Sequence, residues 1–324
     1  MKVTPQLSYK VLCLKSFSEK TYVGNGGDTR RCRICGEVKT AEHFSHDSHA
    51  ISAAVGNKYL ICLEECDDCN SKFGAVETDF VAYTQFPLFI NKVPNRKGKM
   101  RIIEGRNASV RWAGEALPIK DIDTEYISIH LRDWKDDKIN DADEVKKIME
   151  GMDFSKISFT PQNVYKTLCK YVISSFPGNT EEIFAKTARW VIEKPAEKLL
   201  PPILIGNSSK AIHIPRLTIY MRNEDSKDFP LCFAKFEMAD KQFVYIVPDS
   251  SSFSEGYKKG TVELLWERYQ QLHPDIVFKL FNFSSHTKMS VDTTGYSIID
   301  YGEGYFLEKD DIGNWKLIEE KKAD

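Results

Sequence analysis

The spacing of apolar residues predicts two helices and a run of strands in the second half of the chain. Thr160-Pro161 is typical of a helix start and Phe176-Pro177-Gly178 of a helix end. The apolar residues on the buried face of this helix are Val164, Leu168, Tyr171 and Val172. A second helix is predicted to begin at Thr180, and we expect the two helices to pair antiparallel. Beyond them, an antiparallel meander is predicted from strand-like runs at residues 217–221, 231–236 and 243–247.

Nearer the N-terminus, a basic stretch precedes a group of alternating, strand-like runs that extends from Ala108 to Leu131. Residues 91–101 carry five basic side chains and no acidic one. Turn-forming residues among them favour a hairpin between residues 89–90 and 102–103. The basic side chains that we expect to contact phosphates there are Arg96, Lys97, Lys99 and Arg101, with further contacts from Arg30, Arg31 and Arg33.

The composition is that of a folded protein of about two domains. The 324 residues are 42% hydrophobic and 28% charged, and 45 basic residues nearly balance 47 acidic ones. A net charge of −2 gives no overall attraction to a polyanion, so nucleic-acid binding requires local basic patches. No apolar stretch approaches the roughly 20 residues of a membrane span, and the first residues lack the apolar core of a secretion signal. We therefore expect a cytoplasmic protein with no membrane segment.

Four of the eight cysteines are spaced as ligands of a zinc ion. Cys32 and Cys35 form one Cys-x-x-Cys pair, and Cys66 and Cys69 form a second pair after 30 intervening residues. Two such pairs supply the four thiolates of a closed tetrahedral site. The other cysteines are isolated along the chain, as buried apolar residues would be. The sequence therefore predicts structural Zn²⁺ rather than a disulfide framework.

Histidine and asparagine residues lie between and directly after the cysteine pairs. Their order along the chain is His43, His46, His49, Gly56-Asn57 and, next to Cys69, Asn70. In this order the segment from about residue 30 to residue 82 resembles the HNH endonuclease family, whose active site is a ββα-metal fold. The resemblance covers roughly a sixth of the chain. It extends to bacterial HNH proteins with an uncharacterised C-terminal region, whose frequent setting is defence against phage.

The resemblance implies roles for three residues. His49 would be the general base, Asn57 would hold the base-bearing loop by bonding its backbone, and Asn70 would bind the catalytic metal. A neutral imidazole can activate water at pH 7, which phosphodiester hydrolysis requires. The rivals of His49 for this role are His46, which has Asp47 beside it, and His43. For Asn57, the alternative is a simple turn residue.

Hydrolysis also requires a divalent cation on the phosphate, and oxygen ligands suit Mg²⁺ or Mn²⁺. On a helix that begins near Cys69, Asn70 and Glu77 are two turns apart and share a face, so Glu77 is a candidate second ligand. The remaining candidates are Asp79 and Asp47. The chain departs from the family at two usual ligand positions, where it has Ser48 and Gly74. A solvated acidic helix face is therefore the alternative for Glu77.

These observations predict an α+β protein in three segments. Residues 1–85 are expected to form a zinc-supported, treble-clef-like ββα-metal module, residues 86–140 a basic hairpin and β-rich connection, and residues 141–324 a mixed helical and antiparallel β domain. The predicted function is a metal-dependent HNH endonuclease that cuts DNA. The last domain would position substrate, sense a signal, or bind a partner protein or a second copy of the chain. The alternative is a zinc-fold module that binds DNA or protein without cutting.

Overall fold

The chain forms two compact units that are not consecutive in sequence. The computed structural model describes residues 9–15, 19–113, 126–131, 151–223, 229–258, 260–291, 307–309 and 315–317. The first unit comprises Met1–Lys99 and Ser158–Met289, and the second comprises Met100–Ile157 and Ser290–Asp324. The sequence instead predicts boundaries near residues 85 and 140. The second of these lies outside the described residues.

Mixed helix and antiparallel sheet make the protein α+β, as predicted. The strands in chain order are β1 (Tyr9–Lys15), β2 (Thr21–Val23), β3 (Thr29–Arg31), β4 (Val38–Thr40), β5 (Leu60–Cys62), β6 (Ile102–Glu104), β7 (Ala108–Ala113), β8 (Tyr126–Leu131), β9 (Ser158–Phe159), β10 (Ile203–Arg222), β11 (Cys232–Ile246), β12 (Phe278–Phe281), β13 (Met289–Ser290), β14 (Leu307–Lys309) and β15 (Trp315–Leu317). The helices are α1 (Asp67–Ile90), α2 (Pro161–Ser175), α3 (Thr180–Trp190), α4 (Ser252–Glu255) and α5 (Thr261–Leu272). Single 3₁₀ turns occur at Ala41–Phe44 and Ala53–Val55.

The main sheet of the first unit is built on the two long strands β10 and β11, which pair antiparallel. β1 pairs with the C-terminal half of β10, and β12 pairs with its N-terminal end. Helix α5 covers one face, where Trp266 packs in a cluster with Phe233 and Val244. Removal of this apolar surface from water is the main contribution to stability here.

The prediction of antiparallel strands is confirmed by the pairing of β10 with β11, but the predicted meander of three strands is wrong. The predicted runs at residues 231–236 and 243–247 belong to the single strand β11, which continues through the polar residues between them. The register between β10 and β11 is irregular on both sides of Ile212, and Ala239 opposite it has a positive φ of 50°. A bulge of this kind lets a strand continue where the sequence pattern indicates a turn.

Helix α2 is the centre of the first unit. It begins at Pro161 and ends before Phe176, as predicted, and α3 begins at Thr180. All 15 residues of α2 are buried, including two lysines, because α1, α3 and β11 pack around it. The Tyr245 hydroxyl of β11 donates to the Leu168 carbonyl oxygen at 2.9 Å.

Helix α1 attaches the N-terminal third of the chain to this core. The ring of Phe80 lies 5.8 Å from that of Tyr171 in α2 and 5.7 Å from that of Phe243 in β11. The prediction of a strand at residues 89–90, and so of a hairpin to residue 102, is wrong, because α1 continues to Ile90. Its buried residues keep helical spacing from Cys69 to Thr84, and residues 86–89 are then all buried. Asn91 closes the helix by donating to the Pro87 carbonyl oxygen.

The second unit contains a small antiparallel sheet, β6-β7-β8, in the region where alternating runs predicted strands. Ile103 and Val110 are buried at its centre. The side chain of Asn107 holds the neighbouring segment by donating to the Gly151 carbonyl oxygen and accepting from the Asp153 amide. Within the described ranges, no helix of either unit combines the length and the hydropathy that a membrane crossing requires.

Candidate active site and metal centre

The four paired cysteines converge on one point. Their sulfur atoms all lie within 4.8 Å of one another. Cys32 and Cys35 lie in the turn between β3 and β4, while Cys66 caps α1 and Cys69 lies in its first turn. The Cys32 sulfur also accepts a hydrogen bond from the Cys66 amide, and hydrogen bonding by the Cys69 thiol lowers the pKa of Cys32 to about 5. A four-sulfur cluster of this size fits a structural metal ion, consistent with the predicted zinc.

The loop that carries His49 and Asn57 is bonded to the residue before Cys66, because the Ser48 hydroxyl donates to the Glu65 carbonyl oxygen. His49 forms an isolated antiparallel bridge with Ile61 of β5. Asn57 is buried and bonds only to backbone: its amide donates to the carbonyl oxygens of Ile51 and Leu60, and its oxygen accepts from the amides of Tyr59 and Leu60. Asn57 therefore fixes the loop that follows His49 and lies outside the cavity described next.

A cavity of about 600 Å³ opens between this loop and α1. Six of the candidate residues from the sequence line it, namely His46, Asp47, His49, Asn70, Glu77 and Arg96. They come from three separate segments: the His49 loop, one face of α1 and the loop after α1. The fold thus brings together the His49 imidazole, side-chain oxygen donors and the Arg96 guanidinium, although Asp47 and Arg96 lie 49 positions apart in the sequence.

His49 is the more enclosed of the two histidines that line the cavity. Burial lowers its pKa, and the positive charges of Lys170 and Arg96 lower it further. The imidazole is therefore neutral at pH 7, the form that accepts a proton. His46 is mostly exposed and lies at the rim, where its Nδ1 is 3.2 Å from a carboxylate oxygen of Asp67.

Two carboxylates at the rim of the cavity, those of Asp67 and Asp47, form hydrogen bonds to neighbouring segments of the chain. Asp67 accepts hydrogen bonds from the amide and hydroxyl of Ser45 and from the amide of His46. Asp47 accepts from the Lys20 ammonium at 2.8 Å, and this bond lowers the pKa of Asp47. His43 does not line the cavity; its ring lies 3.9 Å from the Glu42 carboxylate.

One face of α1 forms the wall opposite His49. Asn70, Gly74 and Glu77 line the cavity from this face, at the helical spacing that places them one above another. Burial raises the pKa of Glu77, although the positive charges of Lys170 and Arg96 oppose this. Asp79 does not line the cavity, because it lies on another side of the helix and accepts a hydrogen bond from Asn163 at 2.7 Å. We therefore set Asp79 aside as a metal ligand.

The two ligand positions at which the sequence departs from the family have distinct surroundings. Ser48 is buried, and its hydroxyl donates to the Glu65 carbonyl oxygen at 3.3 Å, so it faces away from the cavity. Gly74 faces the cavity, and a Cβ atom placed on it would meet no atom within 4 Å. The position is therefore open space beside Asn70 and Glu77.

The basic stretch after α1 is a tight turn centred on Asn95. The Asn95 side-chain oxygen accepts from the amides of Lys97 and Lys99. Arg96 lines the cavity, whereas Lys97 and Lys99 are exposed outside it. Arg101 belongs to the second unit, where burial lowers its pKa to about 10.

The arginines around the first cysteine pair bind the protein itself, in contrast to the expected phosphate contacts. Arg33 is almost fully buried, pairs with Glu64 at 2.8 Å and donates to carbonyl oxygens at the end of α2. Arg31 pairs with Glu181 at the start of α3, and Arg30 donates to backbone carbonyls. A second cavity of about 640 Å³ lies beside these pairs, and its charged groups largely neutralise one another.

The structure adds one residue to the cavity that sequence analysis missed. Lys170 of α2 reaches the back of the cavity, donates to the His49 carbonyl oxygen at 2.7 Å and pairs with Glu65 at 2.9 Å. Burial raises the pKa of Glu65, and Lys170 opposes this. The sequence carries no local signal for this contact, because α2 has polar residues along one side, Lys166 and Lys170 among them, and such a face is usually solvated.

Comparisons of the chain with protein-family models, with curated proteins and with solved structures find no match.

Proposed function

We propose that the protein is a metal-dependent endonuclease of the HNH type that cuts DNA in the cavity between the His49 loop and α1. The observation that carries the proposal is the convergence of His49, Asn70, Glu77 and Arg96 on one cavity beside a four-cysteine cluster. Phosphodiester hydrolysis requires a base, oxygen donors for a divalent cation and a positive group for the phosphate. These four side chains supply those functions.

The donor set fits Mg²⁺ or Mn²⁺. Asn70 and Glu77 offer an amide oxygen and a carboxylate oxygen from one face of α1, and hard divalent cations bind such ligands while keeping several waters. Asp47 is an additional donor at the rim, where it pairs with Lys20. Bound there, the cation would neutralise the charge that develops on the phosphate and on the leaving oxygen.

The protein residues perform the other steps. His49, neutral at pH 7, takes a proton from the attacking water as the water oxygen bonds to phosphorus and the bond to the leaving sugar oxygen breaks. Arg96 binds the phosphate and offsets its charge. Asn57 acts at a distance by fixing the backbone of the loop that follows His49. The leaving oxygen acquires its proton from solvent, which reaches the open cavity.

Cleavage of plasmid DNA with added Mg²⁺ or Mn²⁺, with and without chelator, tests the proposal. Glu77→Gln should raise the metal concentration for half-maximal rate by roughly tenfold or more, because it removes a charged ligand. Asp79→Asn is the matched control, since Asp79 lies two residues further along the same helix but outside the cavity. Equal metal dependence in both variants would contradict the assignment of Glu77.

A second candidate function is a zinc-fold module that binds DNA or a protein without cutting. Two observations favour it: Ser48 faces away from the cavity, and Gly74 offers no ligand atom. This candidate predicts that DNA is not cleaved under any metal condition. The role in phage defence that the family resemblance implies stays a prediction.

A further inference from the structure

Lys170 makes an unusual set of contacts for a lysine. Its side chain is 2% exposed, and its ammonium lies 2.7 Å from the His49 carbonyl oxygen and 2.9 Å from a Glu65 carboxylate oxygen. It also lies over the ring of Phe73, 5.0 Å from the centroid. These partners come from the His49 loop, the segment before Cys66 and the wall of the cavity, while Lys170 itself belongs to α2.

The network around this contact connects α2 to the backbone on both sides of the site. Ser174, one helical turn after Lys170, donates to the same Glu65 carboxylate oxygen at 3.1 Å. The Glu65 carbonyl oxygen accepts from the Ser48 hydroxyl, next to His49. The network thus fixes the His49 backbone relative to Glu65 and, through Cys66, relative to the start of α1.

The buried pair is poorly explained by stability alone. A buried ion pair commonly contributes no more than apolar residues of similar volume, because both charges lose their hydration. The second carboxylate oxygen of Glu65 has no hydrogen-bond partner among the described residues, which adds to that cost. What the pair provides is a fixed geometry between α2 and the His49 carbonyl.

We propose that Lys170 is a positioning residue that holds His49 against the metal-binding face of α1, so that the second half of the chain completes the active site. The inference rests on the proposed function. Lys170 itself is not a catalytic residue, because its ammonium is directed to the His49 backbone and to Glu65. Misplacement of a reacting group by about 1 Å can lower a rate by about 100-fold.

The test uses the double variant Lys170→Met with Glu65→Gln in the full chain. The single change Lys170→Met would leave a buried carboxylate unpaired and endanger folding, whereas the double variant removes both charges together. Lys166→Met is the matched control, because Lys166 is also buried in α2 and also donates to a backbone carbonyl, that of Glu193, away from the cavity. Rates are expressed per mole of zinc-loaded protein, so loss of folded protein does not register as a lower kcat.

The double variant should lower kcat for DNA cleavage by about 100-fold and leave KM for DNA within about threefold, because the position of the base affects the chemical step rather than binding. Lys166→Met should keep both constants near those of the unmodified protein. A double variant with an unchanged kcat would overturn the positioning role, as would an equal loss in Lys166→Met. Absence of cleavage by the unmodified protein would instead contradict the proposed function itself and, with it, this inference.

Discussion

Asn57→Ala should destabilise the protein strongly although Asn57 touches no substrate. The side chain is 2% exposed and makes four hydrogen bonds, all to backbone. Each such bond contributes about 1 kcal/mol net, so the loss of all four is about 4 kcal/mol. The cost is no smaller where a partner stays buried without another donor, as the carbonyl oxygen of Ile51 would, whereas that of Leu60 keeps the Ala50 amide. A loss of this size is a large part of the roughly 5–15 kcal/mol that keeps a domain folded.

Urea denaturation of the zinc-loaded protein measures this loss as a shift of the midpoint at constant slope. Asn95→Ala is the control, because the Asn95 oxygen also accepts from two backbone amides but does so in an exposed turn. We expect that control to lose about 1 kcal/mol or less, since water replaces the missing bonds. An Asn57 variant no less stable than the Asn95 variant would refute the assignment of Asn57 as the residue that fixes the loop.

Three further predictions address the metal, the basic turn and pH. Cys69→Ser should release bound zinc and unfold the segment that carries the four cysteines, because metal binding is part of the folding free energy. Metal analysis that finds no zinc in the unmodified protein would contradict this prediction. Replacing Arg96, Lys97 and Lys99 with Ala should weaken DNA binding for all sequences alike and reduce the log-log salt slope by roughly one per lost contact, and an unchanged slope would refute the assigned contacts. The acid limb of the cleavage rate should have its midpoint below about 6.5, because burial and nearby positive charges lower the pKa of His49. The same lowered pKa means that folding favours the neutral imidazole, so the contribution of His49 to stability is present above about pH 6.5. That contribution is lost as the pH falls through the lower pKa of the folded protein. A midpoint of the acid limb at or above the ordinary histidine value would contradict the buried, positively charged surroundings of His49.

Local features of the fold were predictable where the sequence carries a strong local signal. Thr160-Pro161 and Phe176-Pro177-Gly178 marked both ends of α2, since capping and helix-breaking residues act within a few positions. The cysteine pairs likewise marked their cluster, because thiolate geometry restricts the spacing of the ligands. In contrast, the continuation of α1 to Ile90 was missed, because its last residues, 86–89, are a short apolar run that the sequence alone does not distinguish from a buried strand.

The residues of the candidate site likewise divide into those that a local sequence signal predicts and one that it does not. The residues of the loop and of α1 were predictable because they fall in one short stretch with a known order. Lys170 was missed because it lies 121 positions from His49, and no local pattern connects them. The division into units was missed for a similar reason: Phe80, Tyr171 and Phe243 share one core only after the chain has folded.

The rate of plasmid DNA cleavage by His49→Ala, with His46→Ala and His43→Ala as matched controls, tests directly whether His49 is the general base of a nuclease. We predict that the unmodified protein cuts DNA only with a divalent cation. We also predict that His49→Ala lowers the rate by roughly 10²- to 10⁴-fold while DNA binding is retained. The two control variants should keep their activity, because His46 lies at the exposed rim and His43 outside the cavity. Full cleavage by His49→Ala, or none by the unmodified protein with either Mg²⁺ or Mn²⁺, would contradict this assignment.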